Sequence, residues 1–276
     1  VLGGLTDVSM DITNFVDGLL IQPDTDGSAP TTGTLSSATG NVGIGRDTFN
    51  ALTTGTYNVG LGYNSLAALT TGFNNTAVGS YAGDANTTGD YNVALGTLSL
   101  SADTTGNKST AIGYAALSAQ NVTNAADTFN TAIGYAAGAA ITTGVNNTAI
   151  GGNALVANTT GALNTSIGAI SLDANTTGTY NVAIGYSALG SNTTADGNTA
   201  VGYNVLGANT TGASNLGLGK DALAANTTGA ANVAVGALAL DANTTAGNNT
   251  AVGQGSLTDN TTGANNTALG RQALTA

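Results

Sequence analysis

Carboxylates are the side chains of this 276-residue sequence best able to do acid–base or metal chemistry, and all 15 of them are Asp. Glu, His, Cys and Trp are absent. Without His or Cys the common Ser–His and Cys–His nucleophile systems cannot be assembled, and disulfides and thiolate metal sites are excluded. Two Asp carboxylates at the right separation could still hydrolyse a glycoside. Asp84, Asp173 and Asp241, however, recur at one equivalent, variable position and read as solvated polar groups, so no catalytic residue is assigned and no enzymatic activity is expected. The calcium-binding Gly-Gly-x-Gly-x-Asp repeat and the EF-hand loop are both missing, which leaves no metal and no cofactor site. Gly-x-Gly occurs at Gly43–Gly45 and Gly217–Gly219, but no helical pattern follows it, as a phosphate loop would require. The Asn-Thr-Thr triplets at Asn86, Asn158, Asn175 and Asn209 fit the glycosylation pattern, yet they recur because a turn recurs.

Charge narrows the partners. A formal net charge of −11, with Arg46, Lys108, Lys220 and Arg271 as the four bases, disfavours nucleic acid, which needs clustered cations. No apolar run reaches 18 residues, so no transmembrane helix and no membrane insertion are expected. The first residues show neither the basic region nor the apolar run of a signal peptide.

What must position every side chain is a repeat. From Asn41 onward one unit recurs, Asn-(Thr/Val)-(Ala/Gly)-aliphatic-Gly-x-x-small-Leu-x-Ala-Asn-Thr-Thr-Gly-x-x, with the Thr-Thr-Gly turn in most copies. There are 14 units; 12 have 17 residues, the one at Ser109 has 21, and the last stops at Ala276. Position four is Ile, Val or Leu in all 14, and position five is Gly in all 14. Helical solenoid repeats need roughly 33 residues or more, whereas Asn-Thr-Ala-Ile-Gly alternates with the period of two that marks a strand. Each unit therefore reads as two short strands and two turns, one rung of a coil. The fold expected is all-β, a parallel β-solenoid of about 14 coils, ~60–65 Å long at one rung per ~4.8 Å. Residues 1–23 form an N-terminal attachment segment with a strand pattern at Val8, Met10 and Ile12; residues 24–40, with Pro30, read as a linker; residues 41–276 are the solenoid.

Alternation sorts the faces of the first strand. We place the position-four aliphatics Ile44, Leu61, Val78, Leu95, Ile112, Ile133, Ile150, Ile167, Ile184 and Val201 inside the coil, together with the Leu that fills position nine in 11 of 14 units. The Ala/Gly side is then free for close approach by another chain; the reverse assignment stays open. The invariant rung glycines, among them Gly45, Gly113, Gly168, Gly185 and Gly270, are expected to need unusual φ or close backbone approach. Position six varies, so Tyr63, Tyr114, Tyr135, Tyr186 and Tyr203 mark an exposed contact face. Asn at positions one and twelve can form amide ladders from rung to rung. The four extra residues of the Ser109 unit should bulge as a loop within 120–129. So thin a coil, with two aliphatics per rung, calls for burial between subunits.

The core Asn181-Val182-Ala183-Ile184-Gly185-Tyr186 and its counterpart Asn130-Thr131-Ala132-Ile133-Gly134-Tyr135 resemble the head repeats of trimeric autotransporter adhesins, the YadA-like heads, over residues 41–276. The resemblance implies a left-handed β-roll, a homotrimer about one axis, and an adhesive or fibre role. The unit here is longer than the family's and carries its own Thr-Thr-Gly turn. Leu5-Thr6-Asp7-Val8 followed by Asp17-Gly18-Leu19-Leu20-Ile21 resembles a segment of bacteriophage fibre and other virion structural proteins. Together they imply a virion fibre or appendage shaft involved in host attachment. Its N-terminal segment would meet other virion proteins, and a host-surface glycan or protein would be its target. The head of a bacterial cell-surface adhesin is the alternative, with ice-binding or polysaccharide-degrading solenoids behind it.

Overall fold

The computed structural model describes residues 8–9, 15–22 and 36–275. Among these no helix occurs, and the chain is a parallel β-solenoid of about 13 turns with a repeat near 17 residues. Two compact units divide it, residues 1–136 and 137–276. In the first, β1 (Val8–Ser9) pairs antiparallel with β3 (Leu19–Ile21), and β2 (Phe15–Val16) pairs with β4 (Ala38–Thr39). From β5 (Val42–Ile44) a three-residue strand recurs once per turn to β10 (Thr131–Ile133). The second unit repeats the arrangement from β11 (Thr148–Ile150) to β18 (Thr267–Leu269). Register is residue on equivalent residue, as in Val182↔Thr199, Ala183↔Ala200 and Ile184↔Val201.

The coil starts earlier than Asn41. β3 lies parallel to β5, with Leu19 opposite Val42 and Ile21 opposite Ile44, and Leu20 is buried. Ala38, assigned above to a linker, is buried too. Met10, Ile12, Pro30 and residues 24–35 lie outside the described residues.

Hydrogen bonds tie each rung in both directions. Val182 N–H donates up to Asn198 O and Gly185 N–H down to Ile167 O, each at 2.8 Å. Opposite the strand, positions six to eleven form a run of turns rather than the second strand expected. Positions seven and nine there adopt positive φ, for instance Asn204 (51°) and Leu206 (52°). These turns still bond rung to rung, Leu206 N–H to Ala222 O at 3.1 Å and Asn204 N–H to Tyr186 O at 3.0 Å. Backbone order is thereby kept without a second ladder.

This back wall sits so close to the strand that it inverts the expected faces. Ala183 and its column at position three are buried under the strand, against Leu189 and its column at position nine. Where the back wall carries a larger group, position three shrinks to Gly: a Cβ on Gly43 would overlap Phe49, and one on Gly217 would overlap Val205. The position-four aliphatics assigned to the interior point outward. Ile44 is 43% exposed and Ile184 37%, Val78 and Ile133 are also exposed, and Leu61, Leu95, Ile112, Ile150, Ile167 and Val201 are half-buried. The reverse assignment of faces is the one adopted, because a cross-section this thin admits a methyl beneath the strand and no branched chain.

Gly at position five behaves as its invariance suggested. Gly45, Gly113, Gly168, Gly185 and Gly270 have φ between +126° and +139°. A Cβ on Gly168 would run into the carbonyl of Gly185 in the next rung. The long repeat is less of a bulge than expected. Gln120, Val122 and Thr128 are buried, and Thr123–Ala125 form the exposed tip of the insertion.

Candidate functional site

Two features of the solenoid could act beyond folding, its polar interior and its apolar outer face. In the interior, Asn at position one builds a ladder along each unit. Asn215 N–H and Nδ2 both donate to Asn198 Oδ1, at 2.9 and 3.2 Å, while its Nδ2 also donates to the Gly229 carbonyl at 2.8 Å. A second ladder runs through position twelve, where Asn175 Nδ2 donates to Asn158 Oδ1 at 2.8 Å and to Gly178 O at 3.1 Å. These amides are buried and paired, as buried polar groups must be. Asn158, Asn175 and Asn209 belong to this ladder, and Asn86 is buried with its Nδ2 donating to Gly89 O at 3.2 Å, so none of these side chains is presented for glycosylation.

The position-one ladder is interrupted once, at Ser109, and beside it the position-twelve column carries Asp103 and Gln120 in place of Asn. Gln120 Nε2 donates to Asp103 Oδ2 (2.5 Å) and Ser109 Oγ (2.8 Å), and Gln120 Oε1 accepts from Asn130 Nδ2 at 2.9 Å. Asp103 is 2% exposed. Burial pushes its carboxyl up from the usual range, against hydrogen bonds from Gln120 and from the backbone of Gly106, Val122 and Thr105. A raised folded pKa means a contribution to stability that is complete below the unfolded value, about pH 4, and is lost as pH rises through the folded one. Asp103→Asn restores an amide that both donates and accepts. The variant should therefore be more stable than the parent by ~1–2 kcal/mol at pH 7, with the difference vanishing near pH 3. Denaturant titrations at both pH values check this.

The outer face is formed by positions two and four of every strand, bordered by position six on one edge and position seventeen on the other. Tyr180, Val182, Ile184 and Tyr186 show the row in one turn, from 64% exposed at Tyr180 to half-buried at Val182. The expected contact tyrosines Tyr63, Tyr114, Tyr135, Tyr186 and Tyr203 are all exposed here. Tyr114–Tyr135 and Tyr186–Tyr203 stack along their column at 5.3 and 5.6 Å, and Tyr63 meets Tyr81 edge to face at 5.2 Å. Arg46 lies over Tyr63 and Lys220 over Tyr203. The aromatic column at position seventeen, with Tyr57, Tyr91, Phe129 and Tyr180, was not picked out from the sequence. Its signal was there, since it precedes position two by one strand period.

Among the described residues the position-ten carboxylates do not converge. Asp173 and Asp241 share position ten four turns apart, roughly 19 Å at one rung per ~4.8 Å, well beyond the spacing of a glycosidase pair. Asp84 occupies the same position in the first unit. Asp127 instead pairs with Lys108 at 2.6 Å, which holds its carboxyl below the ordinary range. Among the described residues no cluster of three metal-ligating side chains occurs. No family model, curated protein or solved structure matches the chain.

Proposed function

We propose that the chain is a structural fibre subunit that assembles as a parallel homotrimer, its outer faces turned to one another. The observation that carries this reading is the unbroken apolar row, one aliphatic at position four in every turn, left partly open to solvent. Six residue steps across and seven or eight rungs tall, the face amounts to roughly 700 Å² in each unit. Position two adds Val or Leu to the row in six turns and Thr in the other eight, and the extent of the face approaches the area a stable interface takes, about 800 Å² per partner. A partner with the same rung spacing and the same column of branched side chains is another copy of the chain. Parallel packing then sets like rungs together along their whole length and closes the assembly, which limits runaway association.

The likeness to YadA-like heads and to virion fibre segments supports a fibre or appendage shaft engaged in host attachment, joined to its virion through the N-terminal segment. Antibody against the solenoid should decorate particle appendages; labelling of a cell envelope would instead favour the adhesin head. The assembly has its own test. Ile150→Asp with Ile184→Asp places two charges on the outer face and none in the coil. Native mass spectrometry should find three chain masses for the parent and one for the variant, with circular dichroism unchanged. A variant that remains trimeric would overturn the use of this face.

A further inference from the structure

A chain of near-identical rungs has a difficulty in assembling on itself. Sliding one copy by a rung presents almost the same aliphatic row, so the row alone sets register weakly. The columns that border the face differ, because they are the variable positions. Within one chain their contacts run along each column, as in Tyr186–Tyr203 or Lys108 over Phe129 at 5.2 Å. The two edges are six residues apart along a rung, roughly 20 Å, so one column does not reach the other in the same chain.

Their sizes are nevertheless matched, provided position six is compared with the position seventeen that closes the same repeat, one rung further on. In the second unit Gly152 goes with Leu163 and Ala169 with Tyr180; the sense then inverts, Tyr186 with Gly197 and Tyr203 with Ser214. In the first unit Tyr63 goes with Asn74 and Ser80 with Tyr91. Two pairs are large on both sides. Arg46 with Tyr57 is a cation and an aromatic ring, and Tyr114 with Phe129 falls in the repeat that has the insertion. Comparison within one rung loses the match, setting Tyr186 against Tyr180 and Tyr63 against Tyr57. A stagger in the opposite sense sets Tyr203 against Tyr180 and Tyr114 against Tyr91.

We infer that the two columns meet across the boundary between copies of this chain, position six of one against position seventeen of its neighbour, staggered by one rung. The inference rests on the homo-oligomer proposed above and adds its register. Large side chains then fill the notches left by small ones, and a slip by one rung brings large against large at several levels and opens voids at others. Both errors oppose association. The variable positions thus align a sequence whose repeats could not otherwise tell one rung from the next.

The chain has no Cys, so engineered pairs report register cleanly. Ala169→Cys with Tyr180→Cys tests the proposed stagger, Ala169→Cys with Leu163→Cys the level arrangement, and Ala169→Cys with Asn146→Cys the opposite stagger. All four positions are exposed, and residues 163 and 180 already have non-glycine side chains at positive φ. A disulfide requires Cα atoms within about 7 Å, so a bond within one chain is excluded for each pair. Under mild oxidation the first pair should give disulfide-linked trimers on a non-reducing gel at least tenfold faster than the other two. Native mass spectrometry of the reduced variants separates the two ideas. Trimers that cross-link fastest through Leu163→Cys or Asn146→Cys, or through no pair, overturn the register and leave the assembly standing. Monomers overturn both.

Discussion

Gly168→Val should lower the stability of the solenoid by about 3–5 kcal/mol, and Ala169→Val, one residue on, by less than about 0.5 kcal/mol. Two costs add at Gly168. Its φ of +136° lies where side-chain-bearing residues are strained, at about 1–3 kcal/mol. A Cβ there also meets the carbonyl of Gly185, a backbone atom fixed in the next rung that cannot swing aside, for about 1–3 kcal/mol more. Gly168 N–H donates to Ile150 O at 2.8 Å, so the backbone cannot relax without losing a ladder bond. Ala169 is exposed and has no such neighbour. In thermal melts the first variant should fall by more than about 10 °C; melting temperatures within 2–3 °C of each other would show that the close approach of successive rungs is not what fixes this glycine.

The second large effect belongs to the asparagine ladder. Asn198→Ala should cost about 2–4 kcal/mol, because it orphans a buried backbone donor at ~1–3 kcal/mol and leaves a small void. Asn215 N–H loses the acceptor it holds at 2.9 Å and Asn215 Nδ2 one of its two, whereas the Gly212 carbonyl, which accepts from Asn198 Nδ2 at 2.9 Å, keeps Asn209 Nδ2 at 2.9 Å. Ser191→Ala, at an exposed position of the neighbouring turn, is the control and should stay within ~0.5 kcal/mol. Amide exchange at Asn215 should accelerate in the first variant alone. Unchanged protection there would mean that water or a shifted neighbour replaces the lost acceptor.

Both effects were anticipated in kind from residue columns. A Gly that never varies and an Asn that recurs every 17 residues have few explanations once the chain is known to stack on itself. The position-nine Leu column was likewise legible as interior, and Leu155, Leu172 and Leu189 are fully buried. The exposed tyrosines followed from the variability of position six. Asp103, by contrast, gave no sign of being a buried carboxylate, since Asp84 and Asp173, only two positions earlier in their repeats, are half-exposed.

The sequence by itself determined the period, the place and parallel register of the strand, the glycine column and the two asparagine ladders. Each of these depends on like residues meeting like residues at a fixed rise, and a repeat states that directly. Tertiary structure decided which side of the strand is the inside. Alternation separates Ala183 from Val182 and Ile184 but is symmetric between the two faces. The choice is made by the segment across the coil, where positive φ at Ser187 and Leu189 folds the back wall so near the strand that only Ala, Gly or, at Ser166, Ser fits beneath it. That distance depends on dihedral angles in a stretch with no strong turn signature, and no pattern of hydrophobicity encodes it. The aliphatics are displaced outward as a result, and the face they make lies outside the core.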